Sequence, residues 1–322
     1  KINQVPWLTA VPVYMTPAKL TLLSGLLVAM LPLTSARRPV VCRACILLTT
    51  ILAASLLRIR PADFQITALS VGQGDATLVS LSDKVHYLVD GGGLPGSNFD
   101  PGERLIAPAL GRMGIDHLDG VILTHNHPDH ASGLSYIIER FPVERFYLAT
   151  NSSELNTELQ RALQRYKVDV IMLDEGWSYV RKDSRRELHL FVPDQTASDI
   201  NERSIAVYAR YLERGAMLTA DLGKAGLRQI LDSGVPGKIS LLKLPHHGSR
   251  HAAPDLFLEE FRPSTAFASA GRGNPYGLPH METVEACAQR QIPFYRTDQM
   301  GMLSFRIHNG EWQVLTYNPK RL

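Results

Sequence analysis

From residue 64 onward, short strand-like runs alternate with helical patterns, and this alternation limits the possible folds more than any other feature of the chain. The first half predicts strands at Phe64–Val71, Ala76–Leu81, Val85–Asp90, Gly120–Thr124, Arg145–Ala149, Val168–Leu173, Glu187–Val192, Ile205–Leu212 and Ala216–Thr219, with helices at Arg104–Arg112, Gly133–Arg140 and Glu154–Tyr166. The second half predicts helices at Leu222–Leu231, Pro254–Phe261 and Glu282–Arg290, with strands at Ile239–Leu244, Thr265–Ser269, Met302–Ile307 and Trp312–Tyr317. Two such mixed halves predict a four-layer α/β sandwich (αββα), in which two sheets pack face to face between outer helices.

Two apolar blocks, Leu20–Ala36 and Ala44–Leu57, precede this alternation and contain no charged residue. A membrane span needs about 20 apolar residues, and each block reaches that length only with flanking residues such as Arg43 and Arg58. Two buried core helices would give the same pattern. Because the blocks stand together and outside the alternation, we expect two membrane helices, with an orientation that the nearly balanced flanking arginines leave open.

Net charge and cysteine content narrow the class of protein. A formal net charge of +3 and a pI near 8.7 permit a nucleic-acid partner without indicating one. The three cysteines, Cys42, Cys45 and Cys287, are too few for a disulfide framework, and Cys42 and Cys45 lack a second pair with which to bind zinc. The chain begins with Lys1 and lacks the layout of a cleavable signal, so we expect it to be the tail of something longer.

The candidate chemistry is concentrated in residues 124–130, THNHPDH, which follow the hydrophobic strand Val121–Leu123. Four of these residues are metal-ligand types: His125, His127, Asp129 and His130. Imidazole and carboxylate groups bind zinc, manganese or iron. A polar surface loop is the alternative, but such loops rarely concentrate three histidines in six residues. We therefore expect the loop to hold one metal ion or two.

Three other predicted strands also end in metal-ligand residues. Asp221 follows an apolar strand, where its carboxylate could bridge two ions or cap the next helix. His246 and His247 follow the strand Ile239–Leu244. Asp90 precedes three glycines, where it could order the metal loop through hydrogen bonds or form a turn.

These residues resemble the metallo-β-lactamase superfamily, and their flanks resemble one branch of it, the ComEC DNA-internalization proteins of natural competence. The resemblance covers roughly Phe64 to Tyr317. Its motifs, in order, are residues 69–76 (LSVGQGDA, with Ser70 where the branch usually has Asp), residues 88–92 (LVDGG), residues 244–249 (LPHHGS), the group Ser269, Gly271, Asn274, Tyr276, Pro279 and His280, and Arg296–Asp298 with Gly301. Each motif is weak alone, and their order makes the resemblance specific.

The resemblance implies a multi-pass protein of the inner (plasma) membrane that imports single-stranded DNA in natural competence. Residues 1–62 would be the end of its membrane channel. Residues 63–322 would form a metal-dependent phosphodiesterase or nuclease domain, proposed to degrade the non-entering strand, on a side of the membrane that stays open. The implied cofactor is Mn or Zn, as one or two ions. The implied partners are DNA, the membrane, a periplasmic DNA receptor and cytoplasmic DNA-handling proteins.

The candidate site residues fall into three groups. The metal ligands are His125, His127, Asp129, His130, Asp221, His246 and His247, with Asp129, His130, Asp221 and His246 as the main set. The catalytic candidates are Asp129, Asp221 and His280. Asp75, Asp90, Ser249 and Asn274 are expected to support the ligands or to contact the substrate.

One departure from the superfamily concerns a further histidine, usually found between the first motif and the bridging aspartate. The interval here contains only His189, in the middle of a predicted strand, and we expect it to be a core or surface histidine. Asn201 and Ser204 resemble another element of the branch but do not replace an imidazole. Ala220 stands where the branch usually has Gly.

Two alternatives to DNA uptake follow. One is a hydrolase that acts on RNA or a small ester, which the two apolar blocks disfavour. The other is a non-catalytic DNA-guiding channel domain, which the missing histidine favours. Measuring the metal content of the chain would distinguish such a domain from a metal-dependent enzyme.

Overall fold

The computed structural model describes residues 17–30, 39–56, 64–93, 96, 99–149 and 154–317. The chain divides into two compact units. One comprises the residues up to Pro61 together with Pro108–Asp116, and the other comprises Ala62–Ala107 and His117–Leu322. The predicted domain boundary, between residues 62 and 63, lies outside the described residues.

The first unit contains the helices α1 (Pro17–Met30) and α2 (Pro39–Leu56). The two helices pack closely where Gly25 faces Thr50, because any side chain at position 25 would collide with the threonine. Many of their apolar side chains are exposed: Leu22, Leu23, Leu26, Leu27, Val28, Val40, Val41, Leu47, Leu48 and Ile51. The hairpin therefore presents an apolar surface.

The structure does not show the two expected membrane helices. Helix α1 has 14 residues, which at 1.5 Å per residue span about 21 Å, whereas the hydrocarbon core of a bilayer is about 30 Å thick. Residues 31–36 of the first apolar block and residue 57 of the second lie outside the described residues. Among the helices that the structure describes, none combines the length and the apolar character needed to cross a membrane.

The second unit is built on two mixed sheets. The strands of the first sheet are β1 (Gln65–Ala68), β2 (Thr77–Ser82), β3 (Val85–Val89), β4 (Leu118–Ile122), β5 (Val143–Leu148), β6 (Asp169–Met172), β14 (Met302–His308) and β15 (Glu311–Tyr317). The strands of the second are β7 (Gly176–Lys182), β8 (Arg186–Val192), β9 (Ala206–Tyr211), β10 (Arg214–Leu218), β11 (Ile239–Lys243), β12 (Thr265–Ala268) and β13 (Phe294–Arg296). Their spatial orders are β15-β14-β1-β2-β3-β4-β5-β6 and β13-β12-β11-β10-β9-β8-β7.

Helices follow many of these strands. In the second unit these helices are α4 (Pro128–Ala131), α5 (Leu134–Arg140), α6 (Thr157–Tyr166), α7 (Lys224–Asp232), α8 (Pro254–Phe261), α9 (Met281–Gln289) and α10 (Thr297–Met300). Helix α3 (Ala107–Met113) belongs to the first unit except for its first residue. A π-helical turn, Gly102–Ile106, precedes α3, where the sequence predicted one helix from Arg104 to Arg112. Strand β7 was not predicted, because its residues are only half-buried or exposed and form no apolar stripe.

The cores confirm the predicted sandwich. One buried cluster joins the two sheets, with Ile66 and Phe305 from the first sheet against Leu190 and Leu241 from the second. A second cluster covers the other face of the second sheet with α7, α8 and α9. In the first sheet, every residue of β4 is buried, so this sheet too is covered on both faces.

The strand directions place the candidate residues at one edge. Strands β3, β4, β5 and β6 run parallel to one another, and so do β10, β11, β12 and β13. Asp90, the loop 123–130, Asp221 and His246 each follow the carboxyl end of one of these strands. In α/β sheets with parallel strands, this edge is where ligands bind.

Candidate metal centre

The metal loop is anchored to the end of β3 by Asp90. The Asp90 carboxylate accepts hydrogen bonds from the backbone N–H and the hydroxyl of Thr124, both at 2.9 Å. Its Oδ2 also lies 2.8 Å from Nδ1 of His130. Because this contact occupies Nδ1, the other nitrogen of His130, Nε2, faces the cluster. Asp90 thus contacts the loop in the supporting position that the sequence suggested.

Four side chains converge beyond that anchor. Nε2 of His130 lies 3.4 Å from Oδ2 of Asp221 and 4.0 Å from Oδ2 of Asp129. Nε2 of His247 lies 3.3 Å from the same oxygen of Asp129 and 3.9 Å from that of Asp221. A tetrahedral site with metal–ligand distances of about 2.1 Å has ligands about 3.4 Å apart. We call these residues the four-ligand set, and their spacing suits one divalent ion.

The assignment within the histidine pair differs from the sequence expectation. His247, rather than His246, belongs to the four-ligand set, and it is buried with Nδ1 3.1 Å from the carbonyl oxygen of Ser269. His246 also approaches Asp221, with its Nε2 3.7 Å from Oδ2 and its side chain 36% exposed. Both imidazoles therefore approach the Asp221 carboxylate, but that of His247 is buried and that of His246 is partly exposed.

Of the remaining histidines of the loop, His125 approaches Asp221 and His127 approaches His125. Nε2 of His125 lies 4.0 Å from Oδ2 of Asp221 and 3.0 Å from Nδ1 of His127. Among the seven predicted ligands, four histidines thus approach Asp221, Asp129 approaches two of these histidines, and His127 approaches His125. Their role as ligands stays a prediction.

Asp75 enters the cluster with a partner that the sequence analysis missed, Lys243. Asp75 is buried, and its Oδ2 lies 2.6 Å from Nζ of Lys243, which is itself only 2% exposed. Oδ1 of Asp75 lies 3.8 Å from Nδ1 of His247. Gly74 has φ = 114°, and a side chain there would collide with the carbonyl oxygen of Asp129, so glycine permits the close approach of the two loops. The signal for Lys243 was a single charged residue at the end of the buried strand β11, ISLLK.

The donor set fits a divalent cation. A buried group that shares His130, Asp221 and His247 with the four-ligand set, and has Asp75 in place of Asp129, offers ligand atoms that all lie within 4.8 Å of one another. Nε2 of His130 and Oδ1 of Asp221 are buried without a hydrogen-bond partner among the described residues. Leaving such groups unsatisfied costs about 1–3 kcal/mol each, and a metal ion would satisfy both.

Burial and charge divide the histidines into two kinds. Burial lowers the pKa of His125 well below its usual value, so this imidazole is neutral near pH 7. Burial acts in the same direction on His130 and His247, but the Asp221 carboxylate and its neighbours outweigh it and hold the pKa of both imidazoles above the usual value. The same histidines outweigh the effect of burial on Asp129 and Asp221 and hold the pKa of both carboxyls below its usual range. Binding of an ion to these two imidazoles would therefore compete with their protons.

The family comparison bears directly on this cluster. The family model described as "Metallo-beta-lactamase superfamily" matches residues 69–271, more than half of the chain. This stretch includes the four-ligand set, Asp75 and Lys243. The chain belongs to the metallo-beta-lactamase superfamily. Divalent metal binding at the cluster agrees with this membership.

Relatives within the superfamily carry competence names. ComE operon protein 3 of Bacillus subtilis (strain 168) is 27% identical over 271 residues, which cover 79% of this chain and 34% of that protein. Competence protein ComA of Neisseria gonorrhoeae is 27% identical over 248 residues, which cover 76% of this chain and 32% of that protein. The chain thus spans about a third of the length of these relatives. They confirm the resemblance to the ComEC branch of the superfamily.

Among solved structures, the Zn²⁺-bound PqqB from Methylobacterium extorquens superposes with a TM-score of 0.47 and 11% identity, over 73% of this chain and 88% of that one.

Three predicted residues make their hydrogen bonds away from the four-ligand set. The side chain of Asn274 bonds the carbonyl oxygens of Gly271 and Leu278 and the N–H of Leu278, which holds its own loop together. Ser249 accepts a hydrogen bond from the N–H of His251. Nδ1 of His280 accepts one from the N–H of Arg250. The role of His280 as a catalytic group stays a prediction.

His189 lies apart from the metal centre, as its lack of a motif indicated. It is buried in β8, with Nε2 3.0 Å from Oε2 of Glu187 and with its ring packed against Tyr179 and Tyr208. Ala220 has φ = 46°, a left-handed conformation that explains why the ComEC branch usually has Gly at this position.

Proposed function

We propose that this chain contains a metal-dependent hydrolase that cleaves the phosphodiester backbone of DNA. The observation that carries the proposal is the convergence of Asp129, His130, Asp221 and His247 at distances that suit a metal ion. Membership of the superfamily and the competence names of the relatives support the reaction class and the substrate.

The chain's own residues hold and orient the reacting groups. Asp129, His130, Asp221 and His247 would hold a divalent ion, which would supply Lewis-acid chemistry for a phosphoryl oxygen and a water molecule of lowered pKa near neutral pH. Asp90 keeps Nε2 of His130 turned toward the cluster. Lys243 holds the Asp75 carboxylate beside His247, so the charge of this acid is compensated inside the protein.

We further propose that the whole protein works in DNA uptake during natural competence, at the inner membrane, where it admits one strand and degrades the other. The names of the relatives support the uptake role. The exposed leucines and valines of α1 and α2 support a membrane location for this part of the chain. A periplasmic DNA receptor and cytoplasmic DNA-handling proteins are the partners that this role implies.

The proposal is tested by incubating the purified full chain with supercoiled plasmid DNA in the presence of Mn²⁺, Zn²⁺ or Mg²⁺, and with a chelator. We expect nicking with Mn²⁺ or Zn²⁺ that the chelator abolishes. Asp129→Ala should remove both metal binding and nicking. The matched control is Asp232→Ala, since Asp232 is an exposed aspartate at the end of α7.

Parallel assays with an RNA oligonucleotide and with a small phosphodiester compare the substrates. Cleavage of RNA or of the small ester in preference to DNA would contradict the proposed substrate. Full nicking by the Asp129→Ala variant would contradict the proposed site.

A further inference from the structure

The four-ligand set draws equally on the two halves of the sandwich. Asp129 and His130 belong to the segment that follows β4 of the first sheet, whereas Asp221 and His247 follow β10 and β11 of the second. The spacing of the ligands around one ion therefore depends on how the loops of the two sheets are held against each other. Such a site binds an ion most tightly when its ligands are in place before the ion arrives.

A buried ion pair joins the loops of the two halves beside this set. Asp75 lies in the loop between β1 and β2 of the first sheet, and Lys243 is the last residue of β11 in the second. Nζ of Lys243 lies 2.6 Å from Oδ2 of Asp75, and both residues are only 2% exposed. The same ammonium donates a hydrogen bond of 3.4 Å to the carbonyl oxygen of Ala220, the residue before Asp221.

The backbone of Asp75 completes the connection on the side of the first sheet. Its N–H donates a hydrogen bond of 3.0 Å to the carbonyl oxygen of Asp129. Its own carbonyl oxygen accepts one of 2.7 Å from the N–H of Gly92. The pair therefore reaches Asp129 through one hydrogen bond of Asp75, and it reaches the loop of Asp221 through one hydrogen bond of Lys243.

The position of Asp75 relative to His247 distinguishes an anchor from a ligand. Oδ1 of Asp75 lies 3.8 Å from Nδ1 of His247, and this nitrogen also lies 3.1 Å from the carbonyl oxygen of Ser269. Asp129 and Asp221 approach the other nitrogen, Nε2, at 3.3 and 3.9 Å. An ion bound between Nε2 and these two carboxylates would lie at one edge of the imidazole ring, with Asp75 at another.

Stability alone is a weak explanation for a buried ion pair at this position. Removing a carboxylate and an ammonium from water is costly, and two apolar side chains of similar volume often stabilise a protein equally well or better. Oδ1 of Asp75 is also buried without a hydrogen bond among the described residues. The contacts of the pair with the loops of Asp129 and Asp221 give it a function that apolar side chains could not perform.

We propose that Lys243 is a positioning residue for the metal centre and that Asp75 is its anchor rather than a metal ligand. The pair holds Asp129 of one half of the sandwich at the correct distance from Asp221 and His247 of the other half before an ion binds. Asp75 stays out of the set of ligands because its carboxylate is bound to Lys243. This inference rests on the metal-dependent hydrolase proposed above and identifies the residues that prepare its centre.

A double variant separates positioning from charge balance. Lys243→Met leaves Asp75 buried without its partner, so it should lower the melting temperature of the metal-free chain and weaken Mn²⁺ binding. Adding Asp75→Asn removes the second charge and should restore most of the lost melting temperature, measured in the presence of a chelator. Calorimetric titration should still show about 10–100-fold weaker Mn²⁺ binding in the double variant, because the two halves are no longer joined.

The matched control removes a second ion pair, which lies outside the centre. Nζ of Lys182 lies 3.2 Å from Oε1 of Glu187. The double variant Glu187→Gln/Lys182→Met should therefore keep the Mn²⁺ affinity of the unchanged chain. If Asp75→Asn/Lys243→Met also binds Mn²⁺ as tightly as the unchanged chain, the positioning role is overturned.

A second measurement uses the unchanged chain and so does not depend on the folding of any variant. Crystals of the Mn²⁺-loaded chain should show Asp75 still paired with Lys243, and an anomalous peak within about 2.3 Å of an Asp75 oxygen would overturn the inference. All affinities are measured without DNA. A chain that binds Mn²⁺ but leaves DNA intact would therefore contradict the proposed function alone, whereas full affinity in the double variant would contradict this inference alone.

Discussion

The metal centre can be compared with the surroundings of His189, here called the pocket and formed by His189, Glu187, Arg210 and Lys182. Both regions bury a histidine next to a carboxylate, but they differ in how the negative charge of the carboxylate is compensated. In the pocket, the carboxylate of Glu187 contacts His189, Arg210 and Lys182, so it is compensated from three directions. In the centre, several carboxylates surround the histidines: Asp75, Asp90, Asp129 and Asp221. The buried ammonium of Lys243 pairs with Asp75 and also donates a hydrogen bond to the carbonyl oxygen of Ala220.

This difference shows which property marks the functional site. Burial of a histidine next to an acid is common to both regions and has a structural explanation in the pocket. In the centre, the converging ligand-type side chains themselves include buried atoms that lack a hydrogen-bond partner among the described residues, namely Nε2 of His130 and Oδ1 of Asp221. We therefore expect perturbations of the centre to change metal binding and perturbations of the pocket to change stability.

The largest effect is expected for Asp221→Asn. Every predicted ligand histidine except His127 has a measured approach to this carboxylate, so its loss should abolish metal binding and reduce DNA cleavage by about 10³-fold or more. Calorimetric metal titration and a nicking assay measure the two effects. Glu187→Gln, the matched change in the pocket, should leave both unchanged. Equal losses in the two variants would remove the distinction between the regions.

A smaller effect is expected for Asp90→Asn, because Asp90 touches the centre only through His130 and Thr124. Changes to groups that orient a metal ligand typically weaken metal affinity by about 10–100-fold. Competition titration with a fluorescent chelator measures this change. An unchanged affinity would show that His130 needs no support from Asp90.

Metal affinity should also depend on pH. The pKa values of His130 and His247 are raised in the metal-free protein, and an ion must displace their protons. Affinity should therefore rise with pH and fall by about tenfold per pH unit for each displaced proton below the raised pKa values. Titrations in buffers of different ionisation enthalpy count the released protons. Binding without proton release would contradict the protonated resting state.

The smallest effect concerns the pocket. Burial opposes ionisation of Glu187, but its bonds to Arg210, His189 and Lys182 outweigh burial and lower its pKa from 4.5 to about 2. A lowered folded-state pKa contributes stability above the unfolded value of 4.5 that is lost as the pH falls toward 2. Glu187→Gln should lower the melting temperature by about 2–4 °C at pH 7 and reduce its decline in acid. Thermal melts across this pH range test the prediction. If the melting temperature of Glu187→Gln declines in acid as steeply as that of the unchanged chain, the bonds of Glu187 contribute nothing to stability.

Much of the site could be predicted because its ligands follow strands directly in sequence. The loop from His125 to His130, together with Asp221, ends apolar strands, and the edge on which they meet is a consequence of parallel pairing. The sandwich could be predicted for the same reason, since its strands and helices alternate locally. His189 was correctly separated from the site by its lack of a surrounding motif.

The rest depends on contacts or conformations that local sequence does not encode. The roles of His246 and His247 are set by two left-handed residues other than glycine, for which the sequence carries no signal. The pairing of Lys243 with Asp75 joins strand β11 to a loop far away in the chain. The apolar blocks indicated membrane helices, whereas the described helices do not reach the necessary length and apolar character.

The central claim, a metal centre built on Asp221, is tested most directly by anomalous X-ray diffraction from crystals of the Mn²⁺- or Zn²⁺-loaded chain. The account predicts an anomalous peak about 2.0–2.3 Å from Nε2 of His130 and His247 and from carboxylate oxygens of Asp129 and Asp221. Metal-loaded crystals with no peak between these four residues, or with their peak beside His189 and Glu187, would contradict it.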